Sequence, residues 1–137
     1  MDEDELRRRF AGEPVGRLAT VRPDGAPHVV PIVFALVGGL LYTAVDHKPK
    51  RTRRLQRLDN LRHEPRCSVL VDRYEADWSA LWWVRADGIG AVVDDAPPDH
   101  PGRRALTQRH AAYRTRPPSG PLLVVTVQRW SGWSAAD

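Results

Sequence analysis

The sequence has little cysteine and no long apolar run, and these two scarcities exclude several classes of protein. Cys67 is the single cysteine among 137 residues, so no disulfide forms within the chain and a disulfide-framed secreted domain is excluded. The apolar stretch around residues 33–37 is far too short to cross a bilayer. The acidic start at residues 2–5 lacks the charge pattern of a secretory signal. We therefore expect a soluble cytoplasmic protein that binds no membrane.

The sequence also lacks the motifs of metal binding and nucleophilic catalysis. Its five histidines, at positions 28, 47, 63, 100 and 110, are too widely spaced for a ligand motif, so we predict no metal site. Cys67 opens an apolar run, which is typical of a packed thiol. His110 and Tyr113 are expected on a helix surface or an interface. If the protein is an enzyme, a bound cofactor should supply the chemistry.

The hydrophobic pattern predicts six strands and a few short helices in one domain spanning residues 1–137. Such a chain is a β-rich α+β protein, and closure of the six strands into an antiparallel barrel would bury the sheet. The predicted strands are 17–21, 29–36, 40–45, 67–72, 81–93 and 122–127, and the predicted helices are 2–11, 50–62 and 100–113.

Three short signals refine this prediction. Residues 23–25 read Pro-Asp-Gly, which predicts the tight turn of a hairpin. Pro31 removes a ladder donor, so its strand should lie at an edge, a bulge or a site. Gly88 and Gly90 predict a bend in the long fifth strand.

The positive charge is concentrated in one segment. The net charge is +4, but residues 47–66 hold eight lysines and arginines against two acids, a local charge of +6. The rest of the chain is slightly acidic, which argues against a nucleic-acid-binding protein. The segment leads from a predicted strand into a helix, where free backbone N–H groups favour a phosphate. Charge alone also allows a solvated basic helix.

Tryptophan is the abundant aromatic residue, with five copies. Trp82 and Trp83 are neighbours in a predicted strand, so their side chains should point to opposite faces. Packing in the core or at a dimer interface is the plainer interpretation. Stacking on a planar ring is the alternative. The aromatic set is Tyr74, Trp78, Trp82, Trp83, Trp130 and Trp133.

Taken in order, several short stretches resemble the pyridoxamine-phosphate-oxidase-like split-barrel superfamily. They are 16–21 (GRLATV), 23–27 (PDGAP), 30–34 (VPIVF), 41–43 (LYT), 48–51 (KPKR), 58–67 (LDNLRHEPRC), 85–88 (RADG) and 129–133 (RWSGW). Within the superfamily, the KPKR stretch and the Trp-rich fifth strand are similar to the branch that uses the deazaflavin coenzyme F420. The chain ends at Asp137, so we expect no C-terminal segment of the kind that binds pyridoxamine phosphate in the oxidases proper.

This resemblance implies a homodimeric oxidoreductase with two cofactor sites at the subunit interface, which transfers hydride between reduced F420 and a small organic substrate. Pro31, Ile32 and Val33 would face the cofactor ring. The phosphate and acidic tail would contact Lys48, Lys50, Arg51 and Arg57, and Asn60 would add a polar contact. Trp78 and Trp82 of the partner subunit would line the substrate side.

Two alternatives remain open. The first is an FMN-binding flavin reductase or oxidase, although the charge of +6 exceeds what the single phosphate of FMN requires. The second is a non-enzymatic protein that binds or stores a cofactor or another ligand such as haem.

Overall fold

Seven strands and four α-helices make up the described part of the molecule. The structure is a computed structural model that describes the backbone of residues 1–45 and 51–137, and the side chains of these residues except 51–55. The elements are α1 (Glu3–Gly12), β1 (Val15–Val21), β2 (Pro27–Val33), β3 (Ala35–Val37), β4 (Leu40–Ala44), α2 (Arg51–His63), β5 (Arg66–Arg73), β6 (Trp82–Val93), α3 (Pro101–Arg109), α4 (Ala111–Thr115) and β7 (Leu122–Ser134). A short 3₁₀ turn, Trp78–Ala80, precedes β6.

The strands form one antiparallel sheet in the order β2-β1-β5-β6-β7-β4-β3. β2 and β3 lie at opposite ends of this order, yet only Phe34 separates them in the chain. The sheet must therefore curl until its two edges meet. Thr43 Oγ1 on β4 donates a hydrogen bond of 2.8 Å to the carbonyl of Val33 at the end of β2. We call this junction between β2 and β4 the seam. The predicted β-rich split barrel is confirmed.

The prediction of six strands is wrong by one, because the second predicted strand divides at Phe34. Residues up to Val33 pair with β1, whereas Ala35–Val37 pair with β4. The apolar pattern continues through both pieces and so carries no sign of the division. β7 runs on to Ser134, well beyond the predicted end at Val127, because its polar second half pairs with β6. The predicted helix 100–113 is broken at His110, whose backbone is extended.

The predicted Pro-Asp-Gly turn is confirmed, and the local signals at Pro31 and Gly88 have clear structural causes. Gly25 has a φ of +89°, which favours glycine, and Asp24 Oδ1 accepts a hydrogen bond from the Ala26 amide. Pro31 lies on β2, which pairs on one side only, as predicted. At Gly88 the pairing of β6 with β7 shifts register, and an added Cβ would collide with the Thr126 carbonyl oxygen.

Two apolar clusters cover the two faces of β4. The larger cluster fills the barrel, where α1 contributes Phe10, whose ring lies 5.0 Å from that of Phe34. The smaller cluster packs α3, through Leu106, against Tyr42 and its neighbours on the outside of β3, β4 and β7. β4 is therefore held from both sides, which fixes the strand that borders the seam.

Candidate functional site

A cavity of about 310 Å³ lies at the seam. Its volume is at the lower limit of small-molecule sites. Four elements line it: β2 supplies Pro31, Ile32 and Val33, β4 supplies Thr43 and Ala44, α2 supplies Arg57, and α4 supplies Tyr113. The structure thus brings together four of the residues that the sequence predicted as cofactor contacts, namely Pro31, Ile32, Val33 and Arg57.

The walls of this cavity follow from local sequence. Ile32 is buried toward the barrel, while Pro31 is exposed on the free edge of β2 and needs no ladder donor there. The hydroxyl of Thr43 is engaged by the Val33 carbonyl, which holds β4 against β2. The cavity therefore has rigid strands on two sides.

Arg57 reaches the cavity because hydrogen bonds of Gln56 and Asn60, on either side of it in the sequence, fix the position of α2. Gln56 Nε2 donates to Asn60 Oδ1 at 2.7 Å, and Asn60 Nδ2 donates to Thr20 Oγ1 on β1 at 3.0 Å. Leu58 and Leu61 are buried in the barrel core. These contacts fix the rotation of the helix and direct Arg57 toward the cavity.

Positive charge extends from the cavity along β2. Burial, together with the nearby guanidinium groups of Arg22 and Arg57, lowers the pKa of His28 below its usual value. His28 is therefore neutral at neutral pH, while both arginines are charged. An anionic group of a ligand is attracted to this region.

The remaining predicted contacts divide into two groups. Lys48 and Lys50 lie outside the described residues, as does the side chain of Arg51, although Arg51 begins α2. Asn60 is described, and its side chain is fully buried between α2 and β1. It therefore acts on the cavity through the placement of α2 and not as part of the cavity wall.

The tryptophans predicted for the substrate side do not line the cavity of their own chain. Trp82 packs against the barrel core and lies under Arg9, with 5.5 Å from Cζ to the ring centroid. Trp83 faces the other way and pairs with Arg85 at 5.8 Å. The predicted opposition of these two side chains is confirmed. Trp78, in the 3₁₀ turn, is 78% exposed.

Sequence reasoning missed three residues of the cavity wall. Thr43 and Ala44 lie in a strand that reads as ordinary core. Tyr113 was expected on a helix surface or an interface, but the break at His110 turns α4 so that Tyr113 lines the cavity. No sequence signal marked that break, because histidine is an ordinary residue inside helices.

A second, larger cavity of about 530 Å³ lies on the outer face of β1, β2, β5 and β6. Trp83, Tyr74 and Leu70 form its apolar part, and Arg17 and Arg85 flank it. None of the predicted site residues lines this cavity. Its chemistry is that of an apolar sheet face with charged margins, and we call it the outer face.

The described residues hold neither a metal-binding cluster nor a membrane-spanning helix. Histidine, cysteine and carboxylate side chains form no group of three that could hold a metal ion within residues 1–45 and 51–137. Over the same residues, the helices are all too short or too polar to cross a membrane.

Solved structures with this architecture cover almost the whole chain. The conserved hypothetical protein Rv2991 from Mycobacterium tuberculosis superposes with a TM-score of 0.77 at 22% identity, covering 98% of this chain and 86% of that one. An FAD-binding protein from Mesorhizobium loti gives 0.69 at 22%, covering 96% and 92%. The heme storage protein HutZ from Vibrio cholerae gives 0.67 at 16%, covering 96% and 93%. At these identities the likeness concerns the fold.

The curled sheet, the helix-capped barrel and these superpositions place the molecule in the split-barrel class. The sequence profile of the pyridoxamine 5'-phosphate oxidase family matches residues 2–134. The chain belongs to that family. No curated protein matches it significantly.

Proposed function

We propose that this chain is an oxidoreductase that binds the deazaflavin coenzyme F420 at the seam cavity and transfers hydride between the reduced cofactor and a small organic substrate. The observation that carries the proposal is the convergence of Pro31, Ile32, Val33 and Arg57 on one cavity. These residues come from two elements far apart in the sequence, and the family resemblance assigned all four to the cofactor.

The cavity fits one part of such a cofactor well. Its strand walls, Pro31 to Val33 and Ala44, offer apolar contacts to a planar ring. Arg57 supplies a permanent positive charge beside them, and guanidinium is a strong partner for phosphate oxygens. A ligand with a flat ring and a nearby phosphate matches this arrangement of wall and charge.

When bound, the cofactor supplies the hydride chemistry. The contribution of the protein is orientation and electrostatics. β2 and β4 provide a rigid surface beside which a ring is held in one plane, and Arg57 fixes the anionic end. His28, neutral beside these arginines, adds no positive charge of its own.

The choice of F420 over FMN rests on charge. The segment 47–66 carries a charge of +6, and Arg22 adds a further cation beside His28. The deazaflavin coenzyme has an acidic tail in addition to its phosphate, whereas FMN has one terminal phosphate. FMN is the second candidate. Because one of the proteins with a similar structure binds FAD, a flavin cofactor, each binding experiment includes FMN.

A homodimer completes the proposed site. The outer face exposes Val29 at 61% and Tyr74 at 60%, and it continues onto β7 through Trp133, the cross-strand partner of Trp83, at 44%. A patch of this kind on a small protein is typical of an interface. Trp78 lies at the end of the adjoining β5–β6 connection and is free to reach a second subunit, whereas Trp82 is held by the core and by Arg9. Trp78 is therefore the stronger candidate for the substrate side.

A binding titration of the purified protein with F420 and FMN, side by side, tests the proposal. Arg57→Ala and Lys50→Ala should each weaken binding by about ten- to a hundredfold, since a charge-assisted phosphate contact contributes about 1.5–3 kcal/mol. Added salt should weaken binding further.

Arg62→Ala is the matched control. Arg62 lies on the same helix, is exposed, and pairs with Asp59 and Asp94 away from the cavity. Equal affinities for wild type, Arg57→Ala and Lys50→Ala would contradict the proposed site. Tight binding of haem with no binding of either flavin-type cofactor would favour the storage function found in HutZ.

A further inference from the structure

We propose that Tyr113 is a specificity-determining residue that contacts the cofactor ring, and that His110 is the positioning residue that holds Tyr113 in the cavity wall. This inference rests on the proposed function, because it assigns a ring contact within the same cavity.

His110 both ends α3 and begins α4. Its backbone is extended, with φ of −120° and ψ of 114°, and this turns the chain between the two helices. Its Nε2 lies 2.6 Å from the carbonyl oxygen of Phe34 and donates a hydrogen bond to it. Phe34 is the residue between β2 and β3, so His110 ties the helix break to the strand that borders the cavity.

Tyr113 is placed by this connection. Its amide donates to the His110 carbonyl at 3.0 Å, and its ring meets the His110 ring edge-on, with centroids 6.0 Å apart and an interplanar angle of 87°. One side of the Tyr113 side chain packs on the cluster that contains Leu106 and Tyr42, and the side chain also lines the cavity. The Tyr113 ring therefore lies between the smaller apolar cluster and the cavity.

α4 is attached to the rest of the fold by Tyr113 and by Arg114, whose guanidinium donates to the carbonyls of Thr107 and Gln108 near the end of α3. It is five residues long, too short to be stable alone, and no side chain caps its start. Among its residues only Tyr113 is half-buried, and the others are exposed. A helix that presents a single inward aromatic side chain to a cavity, three residues after a histidine bonded to the Phe34 carbonyl, is suited to contacting a ligand.

Tyr113 is also the aromatic residue among the described residues that line the cavity. The strand residues around it are aliphatic or small, and Arg57 is the cation. A planar conjugated ring gains from an aromatic neighbour beyond the area it buries, through edge-on or offset stacking. Tyr113 would therefore favour a flavin-type ring over an aliphatic ligand with the same phosphate.

The test uses FMN and riboflavin, which share the ring but differ in the phosphate. Tyr113→Ala should weaken both ligands by a similar factor of about two- to tenfold, the value of one aromatic contact. Arg57→Ala should weaken FMN and leave riboflavin unchanged. Tyr113→Phe should keep the affinity but raise the emission of the bound flavin, because tyrosine in contact quenches flavin fluorescence and phenylalanine does so far less.

His110→Ala should reproduce the Tyr113→Ala loss, and His110→Gln, which retains a donor for the Phe34 carbonyl, should restore much of it. Arg114→Ala is the control for damage to α4 itself, since Arg114 binds carbonyls of Thr107 and Gln108 and does not line the cavity. It should change neither affinity nor emission.

The outcomes separate the two claims. Unchanged affinity and emission in both Tyr113 variants, with FMN binding still lost in Arg57→Ala, would overturn the role of Tyr113 and leave the proposed function standing. A loss of binding in Arg114→Ala equal to that in Tyr113→Ala would show that α4 matters only as a structural element. A wild-type protein that binds neither compound nor F420 would overturn the proposed function, and the assignment of Tyr113 with it.

Discussion

Asn60 and Thr20 form a buried side-chain pair that joins α2 to β1, with 3.0 Å between Asn60 Nδ2 and Thr20 Oγ1. Asn60 is fully buried and Thr20 is 3% exposed. Gln56 completes the pair by donating to Asn60 Oδ1. This contact sets where α2 rests on the barrel, and through it where Arg57 meets the cavity.

Removal of this pair should affect both stability and binding. Asn60→Ala leaves the Thr20 hydroxyl without its partner and should lower the free energy of unfolding by about 1–3 kcal/mol. It should also weaken FMN binding although Asn60 does not line the cavity. Urea unfolding and titration measure the two effects. In a double-mutant cycle with Thr20→Val the losses should not add, and simple additivity would show that the pair is not coupled.

Trp82 and Trp83 should respond differently to truncation. Trp82→Ala removes packing on the barrel core and should cost about 2–4 kcal/mol at any protein concentration, below the full range because the side chain is only half-buried. Trp83→Ala, on the outer face, should cost stability that depends on protein concentration, because it weakens association. Urea midpoints measured over a hundredfold range of concentration distinguish the two. Equal, concentration-independent losses would contradict the assignment.

The outer face should be the dimer interface. We expect sedimentation equilibrium to give twice the 15.4 kDa chain mass at micromolar concentration, with roughly 2,000 Å² or more buried in total. Leu70→Glu places a charge in the middle of this face and should yield the monomer. Val37→Glu, at an exposed position of the edge strand β3, serves as the control for adding a carboxylate to an exposed strand position away from this face. A wild-type monomer would refute this arrangement.

Cys67 should be unreactive in the folded protein. Burial, and to a smaller extent the negative charge of Asp87, raises the pKa of its thiol to about 11 from an ordinary value of 9.0. The folded state therefore holds its proton more tightly than the unfolded state. The resulting stability is complete below about pH 9 and is lost as the pH rises through about 11.

Two measurements check this prediction. A thiol reagent at pH 8 should label Cys67 only after denaturant is added. Unfolding between pH 8 and 11 should lose stability more steeply in wild type than in Cys67→Ala, which removes the titrating group. Rapid labelling of the native protein, or identical pH profiles for the two chains, would show that the thiol is accessible.

Local sequence signals predicted more of the fold than of the site. The Pro-Asp-Gly turn and the edge position of Pro31 each depend on the geometry of one or two residues, and both were confirmed. Of the two glycines predicted to bend the fifth strand, Gly88 marks a register shift, whereas Gly90 pairs regularly with Val125. The division at Phe34 and the break at His110 depend on which distant strand or carbonyl is available, and no local pattern contains that information. The number of strands and the single helix over 100–113 were mispredicted for this reason.

The same distinction explains the site. Pro31, Ile32, Val33 and Arg57 were assigned through resemblance to a family, and the barrel places them together. Asn60 was assigned in the same way, but its side chain is hydrogen-bonded to Thr20 and Gln56 inside the protein. A polar residue within an apolar helix face is equally suited to a ligand contact and to a buried hydrogen bond, and only the packing of α2 on β1 decides between them.

The position of β7 between β6 and β4 has a consequence for how the chain folds. β4 lies in the first third of the chain. It pairs with the three-residue β3 on one side, but its longer pairing is with residues 122–126 of β7. During synthesis the hairpin of β1 and β2 and the pair of β5 and β6 can form first. Until β7 is made, the backbone N–H and C=O groups on one edge of β4 have no strand to pair with. Such non-local pairing slows folding and leaves a strand exposed to other chains. We expect the seam, and with it the ligand cavity, to be the last part of the barrel to assemble and the first to reopen.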